Sequence, residues 1–519
     1  MEIWFIILAS LCISAALKSL LDLLSFNQKK LPPGPFTVPI IGNFLWIRKS
    51  FYDIEIILRN LRTKYGSIIK LQIGSRPSIF IANHELAHKA LIHHGATFAD
   101  RPPALAPNRV ISSNQHSISS AAYGPLWRLF RRNLTHEILH PSRIKSYGNA
   151  RVWVLEILTN KFREQANSGQ PVCVMDHFRY AMFCLLVLMC YGEKLDEKII
   201  KDVESVQRKM NTSFGRFSVL AYMPRLGKIV FRKKWNELYL LRHNQESVLI
   251  PLIRARQEQE KKLQNNEGKT DDTVVCYVDT LLSLQLPDGR RKLTEEEIVS
   301  LCSEFLTAGT DTTFTALQWI MANLVKYPHI QAKLFSEIEG VVNSGSEIKE
   351  EDLQKMPYLK TVVLEGLRRH PPAHFVLPHA VREDITIDGY VIPKNAAVNF
   401  MVAEMGWDPK VWKAPMEFKP ERFLTGNVDG GKVFDITGTG EIKMMPFGAG
   451  RRICPGLGLA LLHLEYFVAN LIRDFEWTAV DGDEIDLSEK VEFTVVMKNP
   501  LRAHISPRMK KNISITRSI

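Results

Sequence analysis

Residues 447–456 read Phe-Gly-Ala-Gly-Arg-Arg-Ile-Cys-Pro-Gly, and this stretch decides the fold of the 519-residue chain. Glycines stand on both sides of Cys454, so the backbone can wrap closely around its sulfur, because glycine has no Cβ and tolerates positive φ. Backbone amides turned toward a sulfur favour the thiolate, which is the form that binds a metal. Cys454 is therefore a candidate metal ligand, and a buried, inert thiol is the alternative.

Residues 308–313, Ala-Gly-Thr-Asp-Thr-Thr, lie inside a long helical pattern that they should weaken. Gly309 costs about 1 kcal/mol relative to alanine in a helix interior. The Thr312 hydroxyl can donate to the carbonyl of residue 308 and bend the helix. Two explanations stay open: a loosely packed buried helix, or a functional site that uses the acid Asp311 and the alcohol Thr312.

Two further patterns bring polar side chains together on helix faces. Glu365 and Arg368 are three residues apart, a pair that contributes only about 0.2–0.5 kcal/mol at a surface. Trp127 and Arg131 are four apart and hence neighbours on one face. A surface arginine beside a half-buried tryptophan explains the second pattern equally well. Neither pattern is decisive alone.

Together these stretches resemble the cytochrome P450 family of haem-thiolate monooxygenases. Residues 447–456 meet every fixed position of the family signature Phe-x-x-Gly-x-Arg-x-Cys-x-Gly, and residues 308–313 match its oxygen-activation motif. Leu-Pro-Pro-Gly-Pro at 31–35, Phe-Ala-Asp-Arg-Pro at 98–102 and Pro-Phe-Gly-Ala-Gly-Arg-Arg at 446–452 look like the plant A-type microsomal branch. The motifs follow the family's order over nearly the whole chain.

The resemblance implies a role for each site residue. It makes Cys454 the axial ligand of the iron of haem b, with Phe447 packed beside the sulfur. The implied catalytic residues, which deliver protons, are Asp311 and Thr312. The residues implied to contact the haem are Trp127, Arg131, Ala308, Gly309, His379 and Arg452, and a structural histidine with satisfied hydrogen bonds is the alternative for His379. The implied structural triad, which holds the core around the cysteine loop, consists of Glu365, Arg368 and Arg422.

Composition excludes several other classes of protein. The chain is 45% hydrophobic with a mean hydropathy of −0.08, which does not fit a disordered tail or a many-span transporter. Seven cysteines without a Cys-x-x-Cys pair argue against a secreted disulfide framework or a zinc ribbon. Length alone suggests about three domains at roughly 150 residues each, whereas the resemblance implies one large haem domain.

Helix-like periodicity dominates the sequence. The predicted helices are Ile54–Tyr65, Pro125–Ile138, Lys145–Ala166, Arg179–Tyr191, Asp196–Phe214, Lys234–Leu263, Thr294–Lys326, Pro328–Val342 and Tyr358–Arg369. The clearest predicted strands are Ile68–Ile73, Ser78–Ala82, Ile385–Ile387 and Ala397–Met401. We therefore expect a mainly α fold with small β-sheets, an α+β class, behind an N-terminal transmembrane helix. The expected domains are an anchor at 1–25, a basic and Pro-rich hinge at 26–36, the haem domain at 37–507 and a basic tail at 508–519.

Residues 3–17 carry no charge, and a helix needs about 20 mostly apolar residues to span a membrane. A cleavable signal peptide is the alternative, but Glu2 precedes the apolar stretch and lysines follow it. Because positive charge tends to stay cytoplasmic, the body should lie on the cytosolic side. The resemblance implies a single-pass protein of the endoplasmic reticulum membrane. The sequons at Asn133, Asn211 and Asn512 are then expected to be unmodified.

The net charge of +12 suggests an anionic partner or surface. No basic helix with interleaved aromatics indicates nucleic acid, and residues 222–235, which mix apolar and basic side chains, suit a membrane surface. No Gly-x-Gly-x-x-Gly follows a strand, so electrons must arrive through another protein. The resemblance implies NADPH-cytochrome P450 reductase, which supplies the NADPH and flavins, and cytochrome b5. The side chains expected to form the docking face are Arg128, Arg132, Lys443 and Arg451, with an ordinary solvated surface as the alternative.

The function implied by the resemblance is insertion of one atom of O2 into a small lipophilic plant metabolite. A haem-thiolate isomerase or dehydratase and a non-catalytic haem sensor are the alternatives. The residues implied to line the substrate pocket are Phe305, Ala308, Phe375, Val376 and Phe493. Their apolar and small side chains do not identify the substrate.

Overall fold

The protein is described by a computed structural model. It covers residues 30–35, 51–73, 76–221, 227–264, 274–287, 289, 291–342, 346–424, 434–482 and 484–508, together with residues 10, 13 and 17. The helices are α1 (Phe51–Tyr65), α2 (His84–His88), α3 (Ala106–Ile111), α4 (Pro125–Asn133), α5 (Pro141–Ser146), α6 (Gly148–Ser168), α7 (Val174–Tyr191), α8 (Glu197–Ser213), α9 (Gly227–Val230), α10 (Arg232–Gln264), α11 (Tyr277–Leu282), α12 (Glu295–Lys326), α13 (Pro328–Val341), α14 (Pro357–Arg369), α15 (Val402–Gly406) and α16 (Leu457–Asp474).

The strands are short and form small sheets at the edges of the helical body. They are β1 (Ile68–Ile73), β2 (Arg76–Ile81), β3 (Val172–Cys173), β4 (His379–Ala380), β5 (Ile385–Ile387), β6 (Tyr390–Ile392), β7 (Ala397–Phe400), β8 (Phe475–Ala479), β9 (Glu489–Val491), β10 (Val495–Met497) and β11 (Arg502–Pro507). One sheet has the order β1-β2-β7-β4, in which only β2 and β7 are parallel. Another has the order β3-β11-β8, and β5–β6 and β9–β10 are hairpins.

The main core lies where α7, α12, α14 and α16 pack together. Helix α12 begins after Thr294, whose side chain accepts a hydrogen bond from the Glu297 amide while the Glu297 carboxylate accepts one from the Thr294 amide. This capping box satisfies two amides that a helix start leaves free. Helix α7 is long and apolar enough to cross a membrane, but 72% of it is buried inside the protein. It is therefore a core helix.

The expected fold class is confirmed, with a mainly helical body and small sheets. The predicted helix Lys145–Ala166 is wrong in one respect, because α5 ends at Ser146 and α6 begins at Gly148. The hydroxyl of Tyr147, between them, donates to the carbonyl of Val275, and this tertiary contact fixes the break. The predictions did not include α16, Leu457–Asp474, which follows directly on the cysteine loop.

Residues 30–35, the described part of the Pro-rich hinge, lie against the body. The Lys70 amide of β1 donates to the carbonyl of Pro33, and the Val391 amide of β6 donates to that of Lys30, both at 2.8 Å. Gly34 is required here, since a Cβ at this position would lie 1.9 Å from the carbonyl oxygen of Lys70. The predicted anchor lies outside the described residues, except that residues 10, 13 and 17 are helical. The predicted tail lies outside them from residue 509 onward.

Candidate active site

The cysteine loop, residues 447–456, contains the short turn Gly450–Arg452 and leads into α16. Gly448 and Gly450 both have a φ of 69°, a conformation that side chains with a Cβ rarely adopt. A Cβ at Gly450 would also lie 2.1 Å from the carbonyl oxygen of Leu91. The Cys454 amide donates to the carbonyl of Phe447 at 2.8 Å and closes the loop. Burial raises the pKa of the Cys454 thiol, whereas a backbone hydrogen bond from Gly456 acts to lower it.

Helix α4 brings two unpaired donors toward this loop. The Trp127 side chain is buried, and its indole Nε1 has no hydrogen-bond partner. The Arg131 guanidinium has no partner among the described side chains or backbone groups; burial lowers its pKa and the nearby Cys454 opposes this. Buried polar groups are rarely left unpaired. These two donors are therefore suited to an anionic group that binds beside Cys454.

The oxygen-helix motif lies in the middle of α12. The Thr312 hydroxyl donates to the Ala308 carbonyl at 2.7 Å, as the sequence predicts. Ala308 is exposed although most of its helix is buried. The place of a Cβ on Gly309 is instead filled by Leu186 of α7, whose Cδ1 would lie 2.7 Å away. Gly309 thus allows close packing of α7 on α12. Its contact with a cofactor stays a prediction.

Asp311 is held by a residue that the sequence analysis did not select for this role. Burial raises the pKa of its carboxyl group, while the hydrogen bond from Asn211 acts against this. The Asn211 amide, on α8, donates to Oδ2 of Asp311 at 2.8 Å. The two residues are 100 positions apart, so no local spacing pattern indicates the contact.

The structure brings the expected triad together. Arg368 donates to both carboxylate oxygens of Glu365, at 2.7 and 2.8 Å. Arg422 donates to the same carboxylate at 3.1 Å. Arg368 and Glu365 are fully buried. Arg368 also donates to the carbonyl of Gly406 at 2.6 Å, so the triad ties α14 to α15 and to the segment before the cysteine loop.

The sequence that builds this site matches a known family. The family model described as Cytochrome P450 matches residues 32–506. The chain belongs to the cytochrome P450 family.

Several known proteins are similar to this P450. It is 50% identical to Cytochrome P450 89A9 of Arabidopsis thaliana over 98% of this chain and 99% of that protein. It is 29% identical to the flavonoid 3'-monooxygenase of Arabidopsis thaliana over 94% and 93% of the two chains. A zebra fish cytochrome P450 solved with progesterone matches with a TM-score of 0.70 at 21% identity, over 88% of this chain and 99% of that one. The fold and the enzyme class, a P450 monooxygenase, are thereby confirmed, and with them the resemblance to plant members.

Membership of the P450 family implies haem, and the residues present fit it. Cys454 offers a sulfur in a loop shaped by glycines, and the unpaired donors of Trp127 and Arg131 lie on the same side. Arg452 stacks on Trp127, with its Cζ 4.5 Å from the ring centroid. Arg452 also donates to the carbonyls of Ala99, Ile118 and Ala121. Three of its five N–H groups are thus used by backbone, which leaves two for a propionate.

His379 of the P450 has features of a structural histidine and features of a residue that could contact the haem. Its Nδ1 donates to the carbonyl of Phe98 at 2.7 Å, as a structural histidine would. Its Nε2 has no hydrogen-bond partner in the described part of the chain. Burial, reinforced by the charges of Arg101 and Arg452, lowers the pKa of His379 to about 3. A propionate near Nε2 would therefore have to supply the charge that lets this ring take up a proton.

Two further residues of this P450 escaped the sequence analysis. Glu304 of α12 accepts hydrogen bonds from the amides of Ile118 and Ser119, at 2.7 and 2.6 Å. Arg101 donates to the carbonyl of Ser119 at 2.7 Å. Together with Arg452, they hold residues 117–121, the loop that leads into α4. The match of residues 98–102 to the family's sequence pattern includes Arg101, but it does not indicate which groups Arg101 contacts.

Proposed function

We propose that this P450 is a membrane-bound monooxygenase that oxidises a lipophilic plant metabolite with O2 and with electrons from an NADPH-dependent reductase. The observation that carries the proposal is the pair of unpaired donors, Trp127 Nε1 and the Arg131 guanidinium, beside the glycine-shaped loop of Cys454. When bound, haem would reduce and split O2, so that one oxygen atom enters the substrate and the other becomes water.

The residues of the chain would divide the remaining tasks. Cys454 would hold the haem iron through its sulfur, with Phe447 beside that sulfur. The groups that would hold the propionates are Trp127, Arg131, His379 and Arg452. Asp311 would take up protons and Thr312 would pass them on to the reaction site, since both lie on the turn of α12 that follows the exposed Ala308. A carboxyl group whose pKa burial raises holds its proton to higher pH than an exposed one, which suits it to give and regain a proton.

The reductase, with cytochrome b5 as a second donor, would dock on a basic face. Arg128 and Arg451 meet at Tyr123, one with its Cζ 5.1 Å from the ring centroid and the other with a 2.6 Å hydrogen bond to the hydroxyl. Arg382 joins them at 5.8 Å. An exposed group of arginines attracts an acidic partner and speeds its association. Of the other expected members, Arg132 is exposed and Lys443 lies near Glu441.

The proposed location is the endoplasmic reticulum membrane, with residues 1–25 as a single-pass anchor and the body in the cytosol. Ile229 and Val230 of α9 are 77% and 69% exposed, which suits contact with lipid. The proposed substrate is lipophilic because Phe493 and Leu377 expose large apolar side chains, 47% and 56% accessible, near the expected pocket.

The experiment is coexpression with a plant P450 reductase, followed by a spectral binding screen of plant metabolites. We expect a compound that shifts the haem spectrum and is oxygenated only when NADPH, O2 and reductase are all present. Turnover of a hydroperoxide without reductase would favour the isomerase or dehydratase instead. A haem spectrum with no turnover of any binding compound would favour the sensor. Glycan at Asn133, Asn211 or Asn512 would overturn the cytosolic orientation.

A further inference from the structure

A row of polar side chains runs along α12 on the side that faces α8 and α10. Its members are Ser300, Ser303, Thr307 and Asp311, spaced three or four residues apart and therefore on one helix face. Polar side chains of α8 and α10 cover this row. The contacts form a seam that ends at Asp311, the residue with the proposed catalytic role.

The seam is fully paired at its far end. Gln207 and Gln245 both hydrogen-bond to Ser303, and Gln245 donates to Gln207 at 2.7 Å. Arg242 donates to the Ser300 hydroxyl at 3.1 Å. Gln207, Gln245 and Arg242 are all buried. These bonds hold α8 and α10 against α12 and do not involve Asp311.

Asn211 forms the last link of the seam. Its Nδ2 donates to Oδ2 of Asp311 at 2.8 Å and reaches Oγ1 of Thr307 at 3.4 Å. An amide carries no titratable proton, so Asn211 can fix the carboxylate but cannot pass a proton on. Oδ1 of Asp311 has no hydrogen bond within the described residues, so it is the oxygen left to exchange protons.

Charged groups from three elements surround this carboxylate. Arg179 of α7 and Arg208 of α8 favour its charged form, and Glu492, after β9, disfavours it. Glu204, also on α8, lies close enough to Asp311 for each charge to disfavour the other. Arg179 is held by Asp176 at 2.8 Å and packs on the ring of Phe314. Asn211 thus provides the direct neutral hydrogen bond within a charged neighbourhood.

We propose that Asn211 is a positioning residue for proton delivery: it holds Oδ2 of Asp311, so that Oδ1 alone exchanges protons and the coupling of reductant to product depends on α8. The inference rests on the proposed role of Asp311. Losing the hydrogen bond from Asn211 leaves a buried carboxylate less stabilised, so Asp311 becomes a weaker acid.

The test compares four proteins in the haem-loaded form: the parent, Asn211→Leu, Asp311→Asn and the double variant. Gln207→Leu is the matched control, because it breaks the seam one turn away on the same helix without touching Asp311. The first measurement is the melting temperature at neutral and acid pH. The second is peroxide released per NADPH oxidised with reductase, as a function of pH.

We expect Asn211→Leu to lower the melting temperature more at neutral pH than at acid pH, because the lost hydrogen bond favours the charged carboxylate of Asp311 and acid pH protonates that group. This difference should vanish when Asp311 is already Asn. Peroxide per NADPH should rise several-fold in Asn211→Leu, and its pH dependence should move to higher pH. Gln207→Leu should lower the melting temperature at both pH values alike and leave the pH dependence of coupling in place.

Equal pH behaviour of Asn211→Leu and Gln207→Leu would overturn the inference, because the seam would then act only through stability. Unchanged coupling in Asp311→Asn would instead remove Asp311 from proton delivery. In that case the proposed role of Asp311 fails, even if the melting temperatures still show that Asn211 and Asp311 interact.

Discussion

The hydroxyl of Thr312 has a close counterpart in Thr310, two positions earlier on α12. Thr310 and Thr312 each donate to the carbonyl four residues earlier, at 2.6 and 2.7 Å, but Thr310 is fully buried whereas Thr312 is partly accessible. The two residues therefore perturb the helix in the same way and differ in which side of α12 they face. A comparison of the two residues therefore separates the effect of a bend in the helix from the effect of a proton-donating hydroxyl.

We predict that Thr312→Val keeps the haem spectrum but diverts reducing equivalents to peroxide, because only the hydroxyl is removed from the proton path. Thr310→Val loses the same type of backbone bond and should remain coupled. The measurement is peroxide formed per NADPH oxidised. Equal coupling in the two variants would take Thr312 out of the proton path.

Glu365 places one buried carboxylate between two guanidinium groups, those of Arg368 and Arg422. We predict that Glu365→Gln destabilises the protein by about 3–5 kcal/mol and lowers haem content, since breaking a buried ion pair leaves an uncompensated charge. The control is Glu421→Gln. Glu421 pairs with Lys333 at 2.8 Å, and both side chains are about half exposed, so its loss should cost about 0–1 kcal/mol. Haem content and melting temperature are measured for both variants. Similar losses in the two would show that the triad stabilises the protein no more than a surface ion pair does.

The short-range features of the site were predictable because they depend on spacing along one helix or loop. Cys454 with its glycines, the Thr312 hydrogen bond and the Glu365–Arg368 pair all belong to this kind. The contacts of Glu304 and Asn211 were not predictable, because each joins residues about a hundred or more positions apart. No local pattern encodes which distant backbone or carboxylate such a side chain will meet.

Three elements meet at the loop 117–121, which leads into α4. Helix α12 supplies Glu304, which accepts two amide hydrogen bonds from the loop, and the cysteine loop supplies Arg452, which donates to two of its carbonyls. The loop thus connects the helix with the proton-relay residues to the loop with the metal ligand. Its position also sets that of Trp127.

We predict that Glu304→Gln speeds hydrogen exchange at the amides of Ile118 and Ser119 by about tenfold or more. A glutamine offers one acceptor where two are needed, and a hydrogen bond to a charged group contributes about 1.5–3 kcal/mol. Glu296→Gln, on the exposed side of the same helix, should leave exchange unchanged. Hydrogen exchange followed by mass spectrometry of this loop decides the matter. Protection that survives Glu304→Gln would show that other contacts hold the loop.

Helix boundaries followed from periodicity where one face is buried, as in α8. Periodicity did not lead to a prediction of α16, Leu457–Asp474. It also failed at Tyr147, where a contact with a distant carbonyl ends α5. Tertiary contacts therefore decide what local sequence leaves open.

Across the chain, several buried histidines resist protonation. Burial lowers the pKa of His370 to about 4 and the pKa of His463 to about 3. In the unfolded chain a histidine titrates near 6.5. As the pH falls through 6.5, the unfolded state binds protons that the folded state does not, so stability is lost progressively toward the folded pKa.

We predict that the melting temperature falls as the pH is lowered below about 6.5 and that His463→Leu reduces this dependence. His463 suits the test because its Nε2 is buried without a partner. The effect should approach about 1.4 kcal/mol per pH unit. His243→Leu, at an exposed position of α10, is the control. An unchanged pH dependence in His463→Leu would show that His463 is not the source.

Ligation of haem by Cys454 is the claim on which the remaining proposals depend. It is tested most directly by the absorption spectrum of the reduced full-length protein with carbon monoxide, in the parent and in Cys454→Ser. We predict the band typical of thiolate ligation in the parent and its complete loss in Cys454→Ser. A parent that binds haem without this band, or a Cys454→Ser variant that retains it, would contradict the assignment of Cys454 as the ligand.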